Sequence, residues 1–200
     1  MKTKAMPKRD KPVEKTEEAA ETWSQDAVRL LDLVAQLMSK TLSQRLLDTL
    51  PAARRIEMTL SQFHTLRYLW LHQRVFMGEL ADGLDISYPS ATNMVKRLAE
   101  KDLVARVTNP ADRREVEVVL TEAGRSLITD IENERIARLT QILEPMSETN
   151  RTALLEGMRQ FIMHALGVDY DTAREICLRC GSRSSEACPI AQVIPLFPCK

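Results

Sequence analysis

Apolar side chains recur at steps of three and four from Trp23 onward: Trp23, Ala27, Leu30, Leu31, Val34, Leu37, Met38, Leu42 and Leu46. That spacing puts them on one face of a long helix, and Pro51 follows where the pattern stops. "TLSQ" at Thr59–Gln62 then reads as a capping box, with Thr59 accepting a backbone N–H and Gln62 reaching back. The helix it opens passes Leu66, Leu69 and Trp70 and ends near Gln73. Two short helices follow, "GELADGLD" and "YPSATNMVKRLAEKD", joined by the tight turn "DIS". Ser87 suits the N-cap of the second. Pro89 falls in its first turn, where a missing N–H costs nothing. Leu80, Leu84, Ala91, Val95 and Leu98 can form one small core between the pair, which is the helix-turn-helix pattern.

The helical period then gives way to strict alternation. "LVARVT" and "EVEVVL" read as strands, and the Asn, Pro and Asp of "NPADRR" mark the loop between them. A hairpin directly after a helix-turn-helix is a wing. Thr121 in "LTEAG" caps a further helix whose apolar face carries Leu127, Ile128, Ile131, Ile136, Leu139, Ile142 and Leu143. Pro145 ends it. Ser147 starts the next helix, with Leu154, Leu155, Met158, Phe161, Ile162, Ala165 and Leu166 at helical spacing. The pattern predicts a mainly α fold with a small β-wing. A winged helix-turn-helix lobe occupies about 59–121, with long helices over about 23–50 and 122–166. Residues 1–22 form a charged arm and residues 167–200 a separate tail.

Composition changes this picture little: 44% hydrophobic and 28% charged residues with only 6 glycines favour helix. No run approaches the about 18 apolar residues of a membrane span. "MKTKAMPKRDKPVEK" has no apolar signal region, so a reducing cytoplasm and no membrane partner are expected. Lys2, Lys4, Lys8, Arg9 and Lys11 against Asp10, with Pro7 and Pro12 between, predict a disordered solvated arm. Formal net charge is zero, so attraction to nucleic acid must come from where charge sits. The helix from Tyr88 is the candidate reader of the major groove, through Ser87, Tyr88, Ser90, Thr92 and Asn93. Asn93 can pair with the N6 and N7 of adenine. Lys96 and Arg97, further along, are placed for phosphates. Arg113 and Arg114, at the tip of the wing, suit a narrow minor groove. Nothing points to an enzyme. There is no G-x-G-x-x-G, P-loop, G-x-S-x-G or H-E-x-x-H, and His64, His72 and His164 have no evident carboxylate partner.

From about Trp23 to Leu166 the chain resembles the MarR family of transcription regulators, most strongly over "LSQFHTLRYL" and from Gly78 to Ile128. Three features carry the resemblance together: the helix-turn-helix, the D-x-R wing at Asp112–Arg114, and the "LT-x-x-G" that opens the next helix. It implies a homodimer whose N- and C-terminal helices make the interface, and a palindromic operator in double-stranded DNA. Half-sites would lie about one turn apart, near 34–36 Å. It further implies that Asp112 orients Arg114 through a salt bridge for insertion into the minor groove. A pocket for aromatic ligands is implied between the dimer helices and the DNA lobe, with His64, Arg67, Trp70 and Phe76 as candidate lining. Two positions depart from the family: Asp85 and Asp102 stand where glycine is common. Aspartate tolerates left-handed backbone better than most residues, so the geometry is expected to be kept.

The tail carries chemistry that the family pattern does not. All four cysteines, Cys177, Cys180, Cys188 and Cys199, fall in the last 24 residues, spaced C-x2-C-x7-C-x10-C. In a reducing compartment such clusters are more often metal ligands or redox thiols than disulfides. An iron–sulfur cluster is favoured, because Cys188–Pro189 resembles the Cys-Pro step of cluster ligands and "ACPIAQVIPLFPCK" is apolar. Structural zinc is the second reading, since a zinc ribbon more often shows two C-x2-C knuckles. A metal-free thiol switch or incidental cysteines are a further reading, which stands at least level with zinc. A cluster or reactive thiols would make the chain a redox- or iron-sensing repressor. The alternative is a repressor that answers an aromatic ligand, with a structural zinc or no metal in its tail.

Overall fold

The computed structural model of the chain describes residues 14–108, 116–168 and 175–176. Helix α1 spans Glu14–Ser39, and one turn of π-helix, Lys40–Gln44, joins it to α2 (Arg45–Thr49). Then come α3 (Pro51–Arg55), α4 (Leu60–His72), strand β1 (Arg74–Phe76), α5 (Met77–Leu84) and α6 (Tyr88–Glu100). Strands β2 (Val104–Thr108) and β3 (Val116–Leu120) lead into α7 (Glu122–Leu143) and α8 (Glu148–Val168). The expected class, mainly helical with a small β-wing, is the class observed.

Helix α1 begins at Glu14, ahead of the Trp23 boundary that the apolar pattern set for a disordered arm. "EKTEEAAE" explains the difference: it has no apolar stripe, but it is built of strong helix formers with acids towards the N-terminus. The π turn was not visible in the pattern either. There the Arg45 N–H reaches back to the Lys40 carbonyl. Arg138 of α7 braces the widened turn, donating from Nη1 to the Thr41 carbonyl at 3.4 Å and from Nη2 to the Thr49 hydroxyl at 2.7 Å.

The core sits inside the winged lobe and the first turns of α7. Leu46, Phe63, Leu66, Leu69, Leu80, Val95, Leu98, Val118, Ile128 and Ile131 are almost wholly buried. The capping box at α4 forms as its residues predict: Gln62 N–H donates to Thr59 Oγ1, and Thr59 N–H to Gln62 Oε1, both at 3.2 Å. Asp85 closes α5 in the left-handed region at φ 54°, and Asp102 does the same after α6 at φ 56°. Both aspartates therefore keep the backbone that glycine serves elsewhere.

The wing is one strand larger than expected. Strand β1 pairs antiparallel with β3, giving a three-stranded sheet of order β1–β3–β2. Val75, Val118 and Arg106 align across it, as do Val104 and Leu120. Val75, Val104, Val118 and Leu120 are buried, so this face packs on the core.

Gly124 explains the glycine in "LTEAG". Thr121 caps α7 by accepting from the Gly124 N–H at 3.0 Å. Its own hydroxyl donates to Asp102 O at 2.6 Å, and its N–H to Leu103 O at 3.1 Å. A Cβ at Gly124 would fall on that same Leu103 carbonyl oxygen. The first turn of α7 is thus pinned against the residues that end α6.

The apolar face expected on α7 is only half buried. Leu127, Ile128 and Ile131 enter the core, but Ile136 and Ile142 are exposed in the single chain. They share this state with Leu30, Val34 and Leu37 of α1 and Leu154, Met158 and Phe161 of α8. Between the core and these helices lies an ion cluster. Glu132, mostly buried, accepts from Arg67 Nε of α4 at 3.1 Å and from Arg135 Nη1 through both its oxygens at 2.7 and 2.9 Å. The Arg135 guanidinium also lies 5.7 Å from the Phe63 ring centroid. Removing one member of a buried ionic group strands its partners. Glu132→Ala is expected to cost about 2 kcal/mol, discounted for the partial exposure of both arginines. Urea titration would show it as a lower midpoint at constant slope.

Candidate nucleic-acid interface

Helix α6 projects from the lobe with a divided surface. Ala91, Val95 and Leu98 are buried against the core, while Tyr88, Ser90, Asn93, Lys96 and Arg97 are exposed. Asn93, Lys96 and Arg97 stand at i, i+3 and i+4, on one face. Ser87 caps the helix by accepting from Ser90 N–H at 3.3 Å, and the two hydroxyls lie 2.8 Å apart. The Thr92 hydroxyl bonds back along the helix, donating to Tyr88 O at 2.9 Å. Of the residues read as groove contacts, Tyr88, Ser90, Asn93, Lys96 and Arg97 therefore share the outward side, and Thr92 is half-buried. The wing residues Asp112, Arg113 and Arg114 lie outside the described residues.

Two basic residues near the interface were not separated by their sequence context. The Lys101 ammonium turns away from the outward face and donates to Ile56 O at 2.7 Å, Glu57 O at 3.4 Å and Gln62 Oε1 at 3.0 Å. It ties the left-handed Glu57 turn down and is structural. Arg106 instead stays exposed on β2 and donates from Nη2 to Thr92 O, in the middle of α6, at 3.1 Å. The signal was present: alternation places Arg106 on the face of Val104, where an apolar residue belongs.

A cavity of about 250 Å³ opens beside α4 and α5, lined by His64, Arg67, Tyr68, Gly83 and Leu84. It brings together two of the four residues expected at a ligand pocket. The other two are placed elsewhere: Trp70 packs against the core, and Phe76 precedes α5, where its N–H donates to Glu79 Oε2 at 3.0 Å. Tyr68 and Gly83 had no sequence signal. They meet because the Tyr68 ring lies directly on the Gly83 backbone, where a Cβ would collide with it. His72 is buried with its ring 4.3 Å from that of Tyr68. The cysteines of the tail lie outside the described residues, and no three His, Cys, Asp or Glu side chains among the described residues form a metal-holding group.

A helix-turn-helix with an outward polar face, followed by a β-wing, makes a winged-helix lobe. Residues 58–116 match the model of the MarR family. Two relatives in Bacillus subtilis agree. The uncharacterized HTH-type transcriptional regulator YsmB is 27% identical over 105 residues, covering 52% of this chain and 71% of YsmB. The HTH-type transcriptional repressor MdtR is 29% identical over 90 residues, covering 45% of this chain and 58% of MdtR. A MarR family protein of Bacillus stearothermophilus shares the fold, with a TM-score of 0.58 at 24% identity over 70% of this chain and 96% of that one. Over residues 58–116 the chain is thus similar to the MarR family, and the relatives it matches are named as transcription regulators. No helix among the described residues is long and apolar enough to cross a membrane.

Proposed function

We propose that the chain acts as a homodimeric repressor that reads a palindromic duplex operator with the outward face of α6. The observation that carries this is the division of α6 itself: every buried residue serves the core, and the amide and cations of Asn93, Lys96 and Arg97 face out. An asparagine so placed can bond both N6 and N7 on the major-groove edge of adenine, and a helix is the element that fits a major groove. Repression is supported by the likeness to the repressor MdtR. Dimerisation is supported by the exposed apolar residues of α1 and α8, since surfaces of that kind mark association sites. Arg113 and Arg114, with Asp112 orienting Arg114, are assigned to the minor groove on the motif alone.

The test begins with duplexes selected from a random pool by the purified protein. Two inverted half-sites about one helical turn apart are expected. Asn93→Ala should lose about 1–3 kcal/mol at one base pair per half-site and relax the preference there. Selection of no common sequence, or an unchanged preference in the variant, would remove α6 as the reader.

The signal is assigned to the tail because all four cysteines crowd into the last 24 residues, just beyond a proposed dimerisation helix. Four thiolates suit an iron–sulfur cluster first and zinc second, and either would be held by Cys177, Cys180, Cys188 and Cys199. Anaerobic purification with metal and sulfide analysis decides between them. A brown protein with iron and sulfide supports a redox or iron sensor. Colourless protein with zinc makes the tail structural, and the signal then falls to a small molecule in the cavity bordered by His64 and Arg67. Metal-free protein leaves the thiols themselves.

A further inference from the structure

The notch between α6 and the wing holds one charged side chain with an unusual position. Arg106 occupies the core-facing row of the sheet, aligned with Val118, at the point where that row runs out into solvent. Its Nη2 reaches across to the Thr92 carbonyl at 3.1 Å. With α6 in a major groove and the wing in the next minor groove, the sugar–phosphate strand that separates the two grooves must pass between these elements. A guanidinium carries five N–H donors in a fixed fork, so the bond to Thr92 does not by itself exhaust it.

We infer that Arg106 is a backbone-clamping residue, which takes a phosphate of the strand between the grooves while its bond to Thr92 fixes the wing against α6. This rests on the reading of α6 as the groove helix. A charge anchored to the recognition helix carries no sequence information of its own. It sets how deeply and at what angle α6 sits. Lys101, although nearer α6 in sequence, cannot share the role, because its ammonium is committed to Ile56, Glu57 and Gln62.

The experiment compares wild type, Arg106→Ala and Arg106→Lys on the duplex selected by the wild type, titrated across a range of salt concentrations. Each phosphate contact contributes about 0.9 to the slope of log affinity against log salt. Arg106→Ala should flatten the slope by about one contact per lobe, weaken binding to all sequences alike and leave the thermal midpoint unchanged. Arg106→Lys should restore the slope, because it keeps the charge. An Arg106→Ala slope equal to the wild type overturns the inference, whether or not affinity falls. So does a change of preference at particular base pairs, which would make Arg106 a base reader. Failure of the wild type itself to bind any duplex would instead overturn the assignment of α6.

Discussion

Gly124→Ala is expected to lower the stability of the fold by about 3 kcal/mol, the upper part of the range for forcing atoms into a packed site. The added Cβ would fall on the Leu103 carbonyl, which is backbone and already accepts the Thr121 N–H. No rotamer change relieves that contact. Either α7 lifts away, breaking the Thr121 bonds to Asp102 and Leu103, or the left-handed turn at Asp102 shifts. Gly78→Ala provides the contrast, because a Cβ there meets nothing within 4 Å. In a helix it should be neutral or stabilising by up to about 1 kcal/mol. Denaturant titration of the two variants checks both. Equal midpoints would mean that the close approach carries no energy.

The second large effect is on binding. Phe161→Asp should give a monomer and weaken operator binding by about 100-fold or more, the gain that a linked second module supplies. Leu154, Met158 and Phe161 form a stripe at i, i+4 and i+7 on α8, and Phe161 is 55% exposed in the isolated chain. A carboxylate cannot be buried there without a partner. A single lobe has little to hold DNA with: from Ser87 to Glu115 six basic residues face four acidic ones, and Lys101 is occupied within the protein. Affinity must then come from two lobes acting together. Sedimentation and duplex titration on the same sample read both consequences. A variant that stays dimeric clears α8 of the interface, and a monomer that binds as tightly as wild type ends the two-lobe account.

What the sequence made legible has a physical pattern. Thr59–Gln62, Ser87 and Thr121 were readable because caps are local: the side chain and the N–H it accepts lie within one turn. Asp85 and Asp102 were readable because left-handed backbone has a short list of tolerant residues. Strand β1 was not, since three residues cannot display alternation, and only pairing with β3 makes Arg74–Phe76 a strand. The Glu132 cluster was not, because Arg67 is joined to it only through the packing of α4 on α7. The candidate site divides the same way. The outward face of α6 follows from helical period alone, whereas the cavity depends on Tyr68 meeting Gly83 across two helices.

The π turn at Lys40–Gln44 has a geometric consequence at the scale of the assembly. An α-helix advances about 100° per residue, so one residue beyond the α-helical count offsets everything upstream by about that angle. Leu30, Val34 and Leu37 therefore point in a compass direction different from the one a continuous helix into α2 would give them. Deleting one residue in this segment would restore the α-helical count and leave the upstream stripe facing as it does, whereas straightening the turn to α-helix at full length would swing that stripe by about a quarter-turn. The hydrogen-bond pattern at this one place, rather than the length of the chain, sets the direction in which α1 presents its apolar stripe, independently of the outward face of α6.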